Sequence, residues 1–550
     1  MSVEVDVLVV GSGAAGLTAA VAAAAGGLSV MVAEKAPLIG GTSAFSGGMV
    51  WIPVNRHAAE QGISDTREEA LEYVHGLTQG REPDPALVDL YVDRAAEAVD
   101  WLEEHSPVRF QLSQAWSDYY AGRPGAKVRG RSLEPLPFHG REELGEWFER
   151  VRTSPHMPSL MLDELVGAGA AADPKNANAV AAGAAALASH LPTLMAERER
   201  DGIRTVGAAL VCALLRGALD RGVDVRTEAP VTSLVVSEDG RVAGAEVAGV
   251  GSVRARRGVV LAAGGFEWNA ELVQAFVGIT DLKPISPPTN VGDGLVMGIE
   301  AGAALANMTS TWAIPVVADH PFEFEGHPMA LQDTPRMEAG VILVNRGGRR
   351  FTNEALCYMD MPRAHRVYDP LTQSWPNATP VWAVFDQKVR DRIAIRDLQP
   401  GEPTPDWVFS GDTLAALAAA IDVPADVLGE EVARFNAGAA EHVDPDFGRG
   451  TVWFEAWTSG GPKPEAALAT LDAGPFYAVR IYEGTIGTNG GLRTDEHGRV
   501  RALRGGLVAG LYAAGNTAAS ACGPVYPGGG ITLGEAITFG YLAGRHLVDG

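Results

Sequence analysis

The first residues in the chain able to do chemistry are glycines. Gly11-Ser12-Gly13-Ala14-Ala15-Gly16 follows a valine-rich run, Val5 to Val10, and opens an alanine-rich stretch that reaches about Ala25. A second apolar run, Ser29 to Val32, leads to Glu34, 18 residues beyond Gly16. That order predicts strand, helix, strand and acid, the setting in which a GxGxxG turn binds a dinucleotide. Gly11 makes the tight turn, Gly13 lets the main chain approach a pyrophosphate, and Gly16 packs helix against strand. The unpaired N–H groups of the helix N-terminus face the phosphates. Glu34 sits where a carboxylate accepts hydrogen bonds from ribose hydroxyls. By itself the fingerprint does not separate FAD from NAD, but the next segment does. Gly40-Gly41-Thr42-Ser43-Ala44-Phe45-Ser46-Gly47-Gly48 reads as a small-residue loop that brings backbone and hydroxyls against a flat ring system. An isoalloxazine is such a system.

The elements that must position these residues recur along the chain. Residues 66 to 106 carry a helical apolar stripe (Leu71, Val74, Leu77, Leu87, Leu90, Tyr91) with acidic exposed positions. Gly167 to Leu191 is rich in Ala and Gly and reads as a helical insertion or a mobile excursion. A helix is expected over Thr205 to Asp220 and a strand over Val223 to Thr227. Val231 to Val236 and Val242 to Val247 flank a Gly-containing turn, the signature of a hairpin. Gly258 to Gly265 (GVVLAAGG) is a further buried strand ending in glycines, and an open α/β sheet binds ligand at such strand ends. The proline-rich piece Lys283 to Asp293 marks a change of register, and Asn345 to Phe351 reads as a tight turn with a strand on either side. The expected fold is α/β. A discontinuous Rossmann-like FAD-binding domain, 1–315 plus 486–550, is interrupted by an α+β catalytic (capping) domain at 316–485.

Composition narrows the partners. With 44 basic and 68 acidic residues the net charge is −24, which repels nucleic acid and anionic lipid. Cys212, Cys357 and Cys522 form no CxxC pair, so a reducing compartment fits and a disulfide framework does not. The 12 histidines show no metal-ligand spacing, and no metal is expected. The acidic N-terminus lacks the features of a signal peptide, and Leu17 to Ala33 is interrupted by Gly26-Gly27, so neither an export signal nor a membrane span is expected. The expected location is cytoplasmic.

Three places give the chain a resemblance to the flavoprotein family that includes fumarate reductase, the succinate dehydrogenase flavoprotein subunit and 3-ketosteroid Δ1-dehydrogenase. They are GSGAAG with Glu34 and GGTSAFSGG, then FTNEALCY at 351–358, then GLYAAGNTAASACGPVYPGGGITLGEAITFGYLAG at 510–544. Nearly the whole chain is covered, least well around 155–205. Dicarboxylate-reducing members of this family carry one arginine four residues after the Asn-Glu of the middle motif and another just before the final glycine run. Here both positions are tyrosine, Tyr358 and Tyr526. A dicarboxylate in a dry site without those arginines would be an unpaired buried charge, so a fumarate- or urocanate-type reductase is disfavoured. Within the family the chain looks most like 3-ketosteroid Δ1-dehydrogenase, whose aromatic–Asp-Tyr-Tyr segment is similar to Trp116 to Tyr120. On that match Tyr119 is the active-site residue and Tyr120 its rival.

The resemblance implies FAD and a steroid or other hydrophobic ketone as substrate, with the electron acceptor unspecified. Desaturation of a ketone removes a proton from the carbon beside the carbonyl and a hydride from the next carbon, the latter to the flavin. Tyr526 O–H and the Gly530 N–H, four residues apart around a glycine turn, can converge on the ketone oxygen. Tyr358 is then the base, with Glu354 its nearest rival. A free phenol is only about one part in a thousand ionised at pH 7, so roughly 4 kcal/mol must come from its surroundings, part of it from Tyr119. The candidate FAD contacts are Gly11, Ser12, Gly13, Ala14, Ala15, Gly16, Glu34 and Lys35, then Gly41, Thr42, Ser43, Ser46, Gly47 and Gly48. Further along they are Val231, Ala263, Gly264, Asp293, Gly515, Asn516 and Leu533. Trp116, Phe351 and Met359 fit either a steroid slot or ordinary core, while Cys357 and Cys522 read as small buried hydrophobes. The reading is an FAD-dependent 3-ketosteroid 1,2-desaturase. The alternatives are a 3-oxo-5α-steroid 4-dehydrogenase, a dehydrogenase of another cyclic ketone, and a non-catalytic flavin protein.

Overall fold

A computed structural model of the chain describes residues 3–550 except 115, 167–189, 333–334, 397, 453 and 456–463. β1 (Val3–Val10) and β2 (Val30–Ala33) form from the two β-branched runs. Asp6, the polar interruption in β1, accepts from the Ser29 N–H and Oγ and pairs with Arg256. β1 lies between β2 and Gly251–Leu261, both parallel to it. Among the described residues this sheet has eight strands. Its main order runs Arg499–Arg501, Leu507–Ala513, Gly251–Leu261, β1, β2, Asp224–Arg226, and the expected hairpin Val231–Val236/Val242–Val247 hangs from Gly251–Leu261.

α1 (Ala14–Ala25) is apolar on all sides because it is enclosed. The sheet covers one face, and the C-terminal helix Ile531–Asp549 crosses the other. A methyl at Gly540 would lie 2.5 Å from the Ala15 carbonyl oxygen, and one at Gly544 2.6 Å from that of Ala19. Alanine on one helix and glycine on the other therefore allow backbone-to-backbone packing that larger side chains would prevent.

A second, mostly antiparallel sheet is centred on Phe476–Thr488, flanked by Thr311–Val317 and Val381–Asp386. Lys283–Pro284 joins it in parallel, which is the register change expected from the proline-rich piece. Thr311–Val317 and Phe476–Thr488 run across the two expected domain junctions. A small sheet of Val50–Trp51, Ser132–Pro135 and Phe110–Leu112 packs against the C-terminal helix and helix Val206–Leu219.

Most expected elements are present, including helix Val206–Leu219 and strand Asp224–Arg226. The 66–106 stretch is two helices, Arg67–Thr78 and Pro85–His105, the first opened by a Thr66/Glu69 capping box and the second by Asp84 with Pro85. Two expectations need correction. Gly40–Gly48 is not an open loop, since α2 (Gly41–Phe45) forms within it. The turn after Ile342–Val344 closes through the Asn345 N–H to the Arg349 carbonyl and a Val344–Arg350 bridge, but no strand follows. Arg350 points inward to Glu354 and Asp444 instead, which bends the chain away from a sheet. The expectation for Gly167 to Leu191 falls, apart from its last two residues, outside the described residues.

Gly544→Val is expected to wedge the two helices apart and to cost about 1–3 kcal/mol by overpacking. Thermal unfolding of the FAD-loaded protein would read this as a lowered Tm.

Candidate active site

The carboxyl ends of β1, β2, Gly251–Leu261 and Leu507–Ala513 open onto one cavity of about 660 Å³, whose far side is built by the second sheet. That is the ligand position of an open parallel sheet. Every site residue expected from the sequence lines this cavity except Gly16. A Cβ on Gly16 would meet the Gly11 carbonyl oxygen at 2.1 Å, so its part is the expected helix-to-strand packing.

The nucleotide end is held from several elements. Gly11 has φ +103° and turns against the Ala262 backbone, where any side chain would collide. Glu34 accepts from the Ser12 N–H and Oγ at 3.1 and 2.7 Å and from the Ala36 N–H at 2.9 Å, so it braces the glycine turn while also lining the cavity. The Ser12 Oγ in turn accepts from the Gly40 N–H, and Ser43 Oγ accepts from the Ala14 N–H. The N-cap residue of α1, Gly13, has no side chain, and Ser43 takes only the Ala14 N–H, so the other amides of this N-terminus suit an anionic group. Lys35 pairs with Asp293 at 2.5 Å. These features fit FAD, which would be held by the amides at the α1 N-terminus, by Glu34 and Lys35 and by α2.

At the opposite end three phenols meet. Tyr119 and Tyr358 hydroxyls are 3.0 Å apart, and Tyr526 lies 5.6 Å from each by ring centroid, stacked on Tyr119 and edge-on to Tyr358. Tyr119 and Tyr526 are 4% and 3% exposed, and Tyr358 shows its remaining surface to the cavity it lines. Burial pushes Tyr119 and Tyr358 well above the usual phenol pKa, and Tyr526 above it. For Tyr526 the rise is opposed by Tyr358, the Gly530 N–H and Thr532. The Gly530 amide thus faces the Tyr526 hydroxyl oxygen.

The pairing of two distant segments sets this geometry. The Tyr119 N–H donates to the Pro527 carbonyl at 3.0 Å, and Asp118 bridges Gly528. The Tyr73 hydroxyl donates to the same Pro527 carbonyl at 2.6 Å and accepts from the Tyr120 N–H. Asp118 accepts from Trp51 Nε1 at 2.7 Å and pairs with Arg131 at 2.8 Å, and Arg131 also pairs with Asp65. Burial pushes Asp118 up to about 6, with Arg131 opposing it.

Tyr119, not Tyr120, faces the cavity. Of the three ambiguous apolar residues only Trp116 reaches it; Phe351 packs against His365, and Met359 joins the core. Glu354 is excluded as a base. It is fully buried away from the cavity and accepts from Arg350 at 2.8 and 2.9 Å, Arg449 at 3.2 Å and the Leu343 N–H at 3.1 Å. Burial would raise its pKa, but the two guanidiniums hold it below the usual range. All three cysteines are free and buried. Sequence reasoning missed Trp312, which packs edge-on against Tyr526 at 5.5 Å and donates Nε1–H to Asn516. It lies in a strand buried throughout, which offers no periodic signal. Asn290, which donates to Thr42 and Glu267, was also missed. Thr532 was within reach of inference, two residues beyond Gly530.

The parallel sheet, the glycine turn and the long cavity define a dinucleotide-binding flavoprotein architecture. The chain belongs to the FAD binding domain family, whose model matches residues 6–533. It is 39% identical over 98% of its length to the 4-oxocyclohexanecarboxylate 2-dehydrogenase of Sinomonas cyclohexanicum, covering 92% of that protein. It is 38% identical over 99% of its length to the 3-oxosteroid 1-dehydrogenase of Mycobacterium tuberculosis, covering 98% of that protein. Among solved structures, 3-ketosteroid delta1-dehydrogenase from Sterolibacterium denitrificans in complex with 1,4-androstadiene-3,17-dione superposes with a TM-score of 0.89. The two share 32% identity, and 99% of each chain is covered. Among the described residues no helix is long and apolar enough to cross a membrane, and no His/Cys/Asp/Glu group could hold a metal ion.

Glu354→Gln is expected to destabilise the protein by about 3–5 kcal/mol, because Arg350 and Arg449 would keep buried charges without their shared carboxylate. Since the folded-state pKa of Glu354 is lowered, its contribution is complete above the ordinary carboxylate pKa and is lost as pH falls through the lowered value. The Tm gap between wild type and variant should therefore narrow in acid.

Proposed function

We propose that the chain is an FAD-dependent 3-oxosteroid 1-dehydrogenase, desaturating the A ring of a 3-ketosteroid between carbons 1 and 2. One observation carries the reading: three phenols and the Gly530 amide gather at one end of the FAD cavity, where the described lining contains no arginine. The bound flavin supplies the hydride acceptor. Tyr526 O–H and the Gly530 N–H hold the ketone oxygen and stabilise the charge that develops there, which acidifies the neighbouring C–H. Tyr358 takes that proton. Tyr119, in hydrogen-bond contact with it, stabilises the phenolate. Burial keeps Tyr358 protonated at rest, and only a small ionised fraction is competent at neutral pH.

The relative that acts on 4-oxocyclohexanecarboxylate, at 39% identity, supports a second reading, a small cyclic keto acid. Such a substrate brings a carboxylate. Lys35 is the single lysine or arginine among the described lining residues, and it is committed to Asp293 at the nucleotide end. His156, also in the lining, is pushed by burial down to about 4 and is neutral at pH 7. This lining favours the uncharged steroid. We also propose the division drawn from the sequence, an FAD unit of 1–315 plus 486–550 and an inserted unit of 316–485, supported by the two separate sheets, with Lys283–Pro284 and the ends of Thr311–Val317 and Phe476–Thr488 reaching from the FAD unit into the second. A cytoplasmic location is supported by three free, buried cysteines.

Anaerobic mixing with androst-4-ene-3,17-dione is expected to bleach the flavin and yield the 1,2-unsaturated product. Bleaching by 4-oxocyclohexanecarboxylate alone would favour the second reading, and a 4,5 double bond from a 5α-saturated steroid would indicate a 4-dehydrogenase. Tyr526→Phe should lower kcat about 10²–10³-fold, as for loss of one oxyanion donor. With a base whose pKa is raised, kcat should climb about tenfold per pH unit through the neutral and mildly alkaline range. Tyr358→Phe should flatten that slope.

A further inference from the structure

The tyrosine pair has a direction, and a residue outside the four assigned to the reaction sets it. The Trp116 Nε1–H donates to the Tyr119 hydroxyl oxygen at 3.3 Å. An indole nitrogen is a donor only and has no lone pair to offer. Tyr119 is 4% exposed, and among the described residues its hydroxyl has Trp116 and Tyr358 as hydrogen-bond partners. Among the described residues its own proton therefore has one acceptor, the Tyr358 oxygen at 3.0 Å. The opposite polarity, Tyr358 donating to Tyr119, would turn the Tyr119 O–H toward the cavity with no acceptor among the described side chains.

We propose that Trp116 is a positioning residue that fixes the Tyr119 hydroxyl proton on Tyr358, so that Tyr358 is the phenol of the pair that ionises. A donor facing the Tyr358 oxygen favours its charged form; the reverse polarity would raise Tyr358 and lower Tyr119, and the Trp116 donor on Tyr119 argues against it. The neighbouring glycine turn makes room for this contact, because a Cβ on Gly529 would lie 2.2 Å from Trp116 Nε1. The same arrangement closes the pair at one end. A proton taken by Tyr358 cannot pass through Tyr119 to the indole, so it leaves by the cavity side, where Tyr526 is the other phenol in contact with Tyr358. The inference rests on the proposed dehydrogenation for its consequence to turnover, but the polarity itself can be read without substrate.

The test is ultraviolet titration of phenolate in the FAD-loaded protein, comparing wild type with Trp116→Phe, which keeps an aromatic ring and removes the donor. The phenol that vanishes from the titration in Tyr358→Phe should move upward by about one pH unit in Trp116→Phe, equivalent to about tenfold less phenolate at a given pH. The rising limb of kcat should move with it, while KM for androst-4-ene-3,17-dione stays within about twofold of wild type. In a Tyr119→Phe background, Trp116→Phe should add no further shift. An unmoved titration overturns the proposal, as does an equal shift with and without Tyr119. If Trp116→Phe fails to retain FAD, Gly529→Ala, whose methyl meets the indole nitrogen, takes its place with the same deciding outcomes. A Trp116-dependent phenol titration in a protein inactive on steroids would sink the functional reading and leave the polarity standing.

Discussion

A phenolate is hard to hold in an interior without counter-charge, and the site is built around that constraint. Burial raises all three tyrosines, and among the described residues no lysine or arginine lines the cavity beside them. A cation there would ionise Tyr358 readily, but it would also attract carboxylates and fill the slot with water. What remains is stabilisation by directed neutral donors, which act strongly where the dielectric is low and only when their geometry is held. The demand on the rest of the molecule is therefore rigidity.

That rigidity comes from segments far apart in sequence. The Tyr119 N–H is hydrogen-bonded to the Pro527 carbonyl and Asp118 lies opposite Gly528 in a β-bridge, so the segments that carry Tyr119 and Tyr526 form one unit. Asp118, Arg131 and Asp65 form a buried ionic group behind it, and the Arg131 guanidinium also lies 5.6 Å from the Trp51 and Tyr73 rings. Burying three charges is expensive, and such a group contributes little net stability compared with apolar packing. Its worth lies in orientation: each lone pair and N–H constrains a neighbouring backbone segment. Glu354, Arg350, Arg449 and Asp444 do the same for the strand-to-turn region that carries Tyr358.

What could be read from the sequence was what depends on neighbours along the chain. The βαβ unit around Gly11 to Glu34, the hairpin at 231–247 and the capped helices at 67–105 are local, and their residue types carry their reasons with them. The tyrosines were found because they replace residues whose chemistry would differ in kind. The short helix α2 was missed because glycine and serine predict a loop wherever packing is ignored. Gly40 at φ +107° starts that helix, and the buried Ala44 and Phe45 hold it in place. Trp312 could not be found, because its partners Tyr526 and Asn516 are more than 200 positions away and its strand is uniformly apolar. For Trp116 the residue type was noticed, but its meaning depends on a nitrogen-to-oxygen contact that no spacing encodes.

The run Gly528-Gly529-Gly530 makes the same point at atomic scale. In sequence it reads as one flexible turn, yet each position answers to a different neighbour. A side chain at 528 would strike the Trp51 ring, one at 529 the Trp116 indole, and one at 530 the Met49 backbone. Two of these neighbours are the indoles that donate to Asp118 and Tyr119, so the glycines make room for the donors that position the phenols. Gly530 has φ +97° and opens the C-terminal helix, which brings its amide toward the ketone end of the cavity. Three identical residues thus serve three separate contacts, and their common cause is the need to pack two large aromatic donors against a backbone that must itself approach the substrate.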